Sequence, residues 1–114
     1  MSMTDVQSNQ RGSVGTNLHF TKTATDTSIG DLLTVSDILP DYQPFQIEMS
    51  AGQTGTLEIY AKLATPAGWA LVDTVVLTAG QSVLKTYFEF PLWGFKVTAI
   101  SGGNMKLWVR RDAV

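Results

Sequence analysis

At 114 residues, 44% of them hydrophobic and 16% charged, with a net charge of −2, the chain forms one domain able to bury roughly two-thirds of the surface its unfolded form exposes. Zero cysteines exclude disulfides, thiolate nucleophiles and cysteine-ligated zinc, and the acidic balance argues against nucleic acid as a partner of the whole chain. The charged fraction is below the ~25% of a typical soluble domain, so part of the surface is expected to be apolar and to meet other proteins.

Residues 1–27 are rich in Ser, Thr, Asn, Gln, Asp and Gly, with only a few scattered apolar positions, and read as an extended N-terminal arm ahead of a domain over 28–114. Within the arm only Asn17 to Thr23 alternates, which suggests one short strand. The stretch up to about Thr16 is expected to add to a neighbour in an assembly rather than to the fold. No apolar run approaches the ~20 residues that span a bilayer, and no basic segment followed by an apolar one opens the chain, so neither a membrane nor a secretory route is expected.

From Asp31 two readings stay open. Leu32 to Val35 can be a short strand followed by a helical turn over Asp37 to Leu39, capped by Ser36 and closed by Pro40. Alternatively, Ile29 to Leu39 is a single amphipathic helix. Beyond it, Phe45, Ile47 and Met49 alternate with polar residues, as do Leu57, Ile59, Ala61 and Leu63, the pattern of half-buried antiparallel strands. Thr65-Pro66-Ala67-Gly68 then turns the chain back.

The run from Trp69 to Phe90 reads as a hairpin about Ala79-Gly80, which sets Leu71 against Phe88, Asp73 against Thr86 and Val75 against Leu84 on a core face. On the opposite face Val72 meets Tyr87 and Val76 meets Val83. Two apolar pairs there call for a lid, from a partner or from the chain itself. A second hairpin, Phe95 to Arg110, is best closed by a three-residue Gly102-Gly103-Asn104 loop, grouping Phe95, Val97 and Ala99 with Met105, Leu107 and Val109. Its other face then carries Lys96, Lys106, Trp108 and Arg110, a basic patch around an aromatic that is expected to meet an acidic protein surface. The candidate protein interface is therefore Val72, Val76, Val83, Tyr87, Lys96, Lys106, Trp108 and Arg110.

Six strands from Phe45 to Arg110, with one or two before them and no βαβ rhythm, predict an all-β antiparallel sandwich of jelly-roll or Ig-like type. Chemistry is harder to place. His19 is the only histidine and reads as a solvent-facing or interface residue, and the aspartates at 26, 31, 37 and 41 lack calcium-loop spacing. Glu48 and Glu58, on strands expected to be neighbours, belong to the solvated set. Asp73, expected to point inward, must be hydrogen-bonded, sit at a bulge or face a partner. Trp69 reads as core, Trp93 as a corner and Trp108 as outward. No catalytic residue, cofactor or metal is expected.

The segments Gly-Trp-Ala-Leu-Val-Asp-Thr (68–74), Leu-Thr-Ala-Gly-Gln-Ser (77–82) and Ser-Gly-Gly-Asn-Met-Lys-Leu-Trp-Val-Arg-Arg (101–111), behind a polar arm, resemble small β-sandwich accessory virion proteins of tailed bacteriophages. The resemblance implies a non-enzymatic structural virion component. A capsid decoration or other stabilising protein of this kind would be homo-oligomeric, held by other virion proteins such as the major capsid protein, and assembled in the host cytoplasm. A carbohydrate-binding β-sandwich module using exposed tryptophans is the alternative.

Overall fold

The computed structural model describes residues 14–34 and 42–112, and these form eight antiparallel strands with no helix among them. The strands are β1 (Val14–Lys22), β2 (Gly30–Thr34), β3 (Tyr42–Met49), β4 (Gly55–Lys62), β5 (Ala70–Leu77), β6 (Ser82–Phe88), β7 (Leu92–Ile100) and β8 (Met105–Asp112). Alternation decides their orientation, because successive side chains leave a strand on opposite faces. In β3 and β4 every second residue is buried, and the intervening Gln46, Glu48, Glu58 and Tyr60 stand half-exposed.

Two four-stranded sheets result, ordered β1-β8-β3-β6 (sheet I) and β2-β7-β4-β5 (sheet II). Their apolar faces pack together as a β-sandwich. Phe45, Ile47, Met105, Leu107 and Val109 come from sheet I, and Leu57, Ile59, Leu77, Trp93, Phe95 and Val97 from sheet II, all at most 1% exposed. Trp93 is central, its ring edge-to-face with Phe45 at 5.1 Å and Phe90 at 5.6 Å, with Tyr87 at 6.0 Å. Its indole N–H has no acceptor among the described residues, a cost of about 1–3 kcal/mol that burial of the large ring must exceed.

Among the described residues only β4 and β5 form a hairpin of paired neighbours, and each other connection between these strands carries the chain from one sheet to the other. This corrects both expected hairpins. The Ala79-Gly80 turn is present, with Gln81 N–H donating to Thr78 O at 3.0 Å and both central residues at positive φ. Beyond it, however, β5 pairs with β4 while β6 pairs with β3. An arch between sheets and a hairpin within one sheet put opposite parities on the core side, so β6 is reversed. Val83 and Tyr87 turn inward, and Leu84 and Phe88 lie 75% and 65% exposed. In β5 the register shifts between Ile59 and Tyr60 of its partner, so Leu71 is exposed while Val72 packs against the core, and Val76 points outward by ordinary alternation between buried Val75 and Leu77.

The second hairpin is also an arch. Phe95 and Val97 do share a core with Met105, Leu107 and Val109, but they meet across the sandwich rather than along a ladder. Ala99 departs from that group. The β4–β7 register shifts between Thr56 and Leu57, leaving Ala99 exposed and bringing Ile100 against the core. Leu32 to Thr34 falls in a strand, as the first of the two readings expects, whereas the turn expected over Asp37 to Leu39 lies outside the described residues. The expected arm also shortens. Residues 14–22 are an integral edge strand whose Phe20 is buried, and residues 1–13 lie outside the described ones.

At one end the three crossing loops interlock. Gly80 N–H donates to Gln53 O, Ser101 N–H to Thr54 O and Ser50 N–H to Asn104 O, at 2.9 to 3.1 Å. A Cβ on Gly80, at φ +73, would stand 2.8 Å from Ala51 Cα, so the loops close only around glycine there. Trp93→Ala is expected to lower stability by about 3–5 kcal/mol in urea unfolding, as for a large buried aromatic. Trp69→Ala, removing a half-buried ring, should cost less, the reverse of what a core Trp69 and a corner Trp93 would give.

Candidate functional site

The outer face of sheet I is the most distinctive surface. Four aligned strands bring Leu18, Trp108, Gln46 and Leu84 into one row, each directly opposite the next, and pair Tyr42 with Phe88 nearby. Leu18, Tyr42, Leu84 and Phe88 are 43%, 61%, 75% and 65% exposed, and Trp108 is half-buried. So many large apolar side chains on one sheet face exceed the scattered singles of an ordinary surface and mark a contact face. Their ring and methyl groups follow from the outward parity of each strand. Sequence reasoning missed Leu84 and Phe88 because it assigned β6 to a hairpin.

The expected interface residues do not lie together. Lys106, Trp108 and Arg110 project from sheet I, whereas Lys96 lies on sheet II opposite Glu58, so the predicted four-residue basic patch is divided between two surfaces. Val72, Val83 and Tyr87 are partly buried against the chain's own core, and Val76 is 61% exposed on sheet II. The lid expected over the first three is the opposite sheet.

Trp108 is held upright by chemistry within the face, its Nε1–H donating to Glu48 Oε1 at 2.7 Å. Glu48 and Glu58 sit on different sheets, since β3 and β4 are not neighbours. A cleft of about 220 Å³ lies at the Glu48 end of this face, lined mainly by Glu48, Ser50, Gly80, Ser82, Asn104 and Lys106. A second recess, of about 290 Å³, is lined mainly by apolar groups including Leu63, Val72 and Phe90 at the other end of the sandwich. Beside the latter segment, Lys62 Nζ stands 4.4 Å from the Trp69 ring, and Trp69 packs over Gly94 with Ile29.

Two polar clusters tie elements together. Asp73 points inward beside the β5 irregularity, as expected, but its donor is Tyr87 rather than Thr86: Tyr87 O–H donates to Asp73 Oδ2 at 2.7 Å, while Thr74 N–H donates to Oδ1. This bond joins the two sheets across β5 and β6. Burial, with the Asp73 bond and charge second, pushes the Tyr87 phenol well above its ordinary value. At the opposite edge Lys22 bridges Asp31 and Asp26, and the bond to Asp31 chiefly raises its pKa. His19 turns inward at the β1 irregularity and is half-buried, Nε2–H donating to Asp31 O at 2.9 Å with its ring 5.6 Å from Phe95, so it is not a fully solvent-facing residue. Gln43, a further inward polar residue not expected from sequence, donates to Arg110 O at 2.8 Å.

Among the described residues no group of three or more His, Asp or Glu side chains is placed to hold a metal ion, and no helix is long and apolar enough to cross a membrane. Comparison with protein-family models, curated proteins and solved structures finds no match to this chain.

The raised Tyr87 and Lys22 values fix a sign. Each group keeps its proton longer in the folded than in the unfolded chain, so the stability it contributes is full below about pH 10, where unfolded tyrosine begins to ionise, and is lost as pH rises beyond it. Tyr87→Phe is expected to lose about 1–2 kcal/mol at neutral pH, leaving Asp73 without its cross-sheet donor. The gap to the wild type should narrow in urea titrations above about pH 10.

Proposed function

We propose that this chain is a non-enzymatic structural component of a virion, a capsid decoration or similar stabilising protein that acts through self-association and contact with other virion proteins. The observation that carries the reading is the apolar outer face of sheet I, where Tyr42, Leu84 and Phe88 are each more than 60% exposed. A face of this kind is energetically favoured under a neighbour, at roughly 25 cal/mol for each Å² of apolar surface removed from water. A capsid would supply that neighbour, most naturally the major capsid protein, with the assembled particle as the location.

The sandwich is further proposed to be of jelly-roll type. In support, β1 pairs with β8 rather than β2, and the orders β1-β8-β3-β6 and β2-β7-β4-β5 carry successive strands between sheets as two wrapped Greek keys do. Ig-like sandwiches instead pair their first two strands. Eight-stranded jelly rolls serve both viral capsid and lectin domains, so the architecture agrees with either functional class. The stretch up to about Thr16 keeps its proposed assembly role, although Val14 to Thr16 already belong to β1. Lys106 and Arg110, flanking Trp108, are proposed to face an acidic partner surface without Lys96.

The carbohydrate reading is favoured by one observation, the half-exposed Trp108 beside a polar cleft; Trp93 is enclosed and Lys62 covers Trp69.

Light scattering of the purified protein across a concentration series tests the leading reading. The expected result is an assembly heavier than the 12.4 kDa monomer. Leu84→Lys with Phe88→Lys should reduce it to monomer while thermal unfolding stays cooperative and within a few degrees. A monomer at every concentration, alone and with candidate capsid proteins, counts against it.

A further inference from the structure

We infer that the cleft between Glu48, Ser82, Asn104 and Lys106 is a binding site for a single neutral sugar residue. Glu48 and Lys106 stand directly opposite one another on β3 and β8, the geometry in which unlike charges ordinarily pair. They form no ion pair here: Glu48 accepts from the Trp108 indole, and Lys106 makes no hydrogen bond or ion pair with any described residue. The indole has taken the carboxylate and left the ammonium unspent.

Other groups around the cleft are unspent too. The side-chain amide of Asn104 bonds to no described residue, since only its backbone engages Ser50. Ser82 Oγ accepts from Gln46 Nε2 at 2.9 Å and keeps its own proton to donate. Glu48 retains Oε2 as an acceptor. Ser50, by contrast, is consumed by Asn104 N–H and Asn104 O and serves the loops. The cleft therefore offers donors from Lys106, Asn104 and Ser82, and acceptors from Glu48 and Asn104, converging on about 220 Å³.

Volume and charge select among ligands. The space is below the ~300–1,000 Å³ of pockets for drug-sized molecules, which limits it to one ring of a larger glycan. The carboxylate offsets the ammonium, so an anion gains one contact and meets one repulsion. A polyhydroxyl ring both donates and accepts at each hydroxyl and matches the alternating set. An apolar ring would leave these groups unmatched. Trp108 does not line the cleft; it stands next to it and holds the lining Glu48 in place through the indole bond. The loops that close the cleft are those that lock the end of the sandwich, so the lining is preorganised by Gly80 and by the Ser50–Asn104 bonds.

This inference rests on the carbohydrate reading and shares with the assembly reading only Lys106, whose ammonium it assigns to the sugar. The test is saturation-transfer NMR with a panel of neutral methyl hexosides and N-acetylhexosaminides at up to tens of millimolar, on wild type, Asn104→Ala and Lys106→Ala, with sulfate and glycine as competitors. Neither substituted side chain bonds to a described residue, so both variants are expected to unfold at the wild-type temperature. The expected result is binding of at least one sugar, weakened at least fivefold in each variant and unaffected by either competitor. Binding insensitive to both substitutions keeps the carbohydrate reading and overturns this site. No binding by any sugar overturns both, and displacement by sulfate or glycine shows an ionic site and overturns the sugar assignment.

Discussion

The packing of two inner sheet faces around Trp93 is the constraint from which the rest follows. Its ring meets Phe45 and Tyr87 from sheet I and lies in sheet II, so it spans the layer that separates the two. A sheet pair of this thickness, about 10 Å, needs large side chains from both sides to exclude water, and aromatics supply most volume per residue. The parity of every strand is set by whether it contributes to that layer. The outer surfaces are then what parity leaves over.

That remainder is uneven. Sheet II leaves Leu71 and Val76 exposed on its edge strand β5 but covers part of its outer face with its own chain, through Trp69 and Ile29 over Gly94 and the Tyr60 hydroxyl on Glu58. Sheet I leaves Tyr42, Leu84 and Phe88 in solvent while ordering Trp108 through the charge-assisted bond its indole N–H donates to Glu48. The proposed contact surface and sugar cleft both fall on sheet I. They occupy different ends of it: the apolar pair Tyr42–Phe88 lies toward the start of β3, and the cleft toward its end at Glu48 and Met49.

The polar ties do what apolar packing cannot, which is to choose one alignment of the sheets. Tyr87 to Asp73 joins β6 to β5 although these strands share no ladder, and Lys22 with Asp31 and Asp26 holds the exit of β1 to the entry of β2. Asp26 also engages β7, its backbone N–H and carboxylate bonding the O and N–H of Val97. Such groups lose far more when misaligned than a methyl does, because a buried polar atom without a partner carries its desolvation cost.

Alternation in the chain determined the strands, their number from Phe45 onward and the inward faces of β3, β4, β7 and β8, since the period of two is a local property of residues such as Phe45, Ile47 and Met49. Turn chemistry likewise located Ala79-Gly80 and Gly102-Gly103. Which strands pair was decided only in three dimensions. A tight turn followed by an apolar alternation is satisfied equally by a ladder beside the first strand or by a layer facing it, and the two choices differ by one residue in parity. That single step turned Leu84 and Phe88 outward, brought Tyr87 to Asp73, placed Trp93 at the centre and parted Lys96 from Lys106. The candidate site was legible only in Lys106 and Trp108, outward residues in either arrangement. The indole's partner Glu48 and the unspent Asn104 and Ser82 come from β3, the β7–β8 loop and β6, and only long-range burial brings such distant segments together.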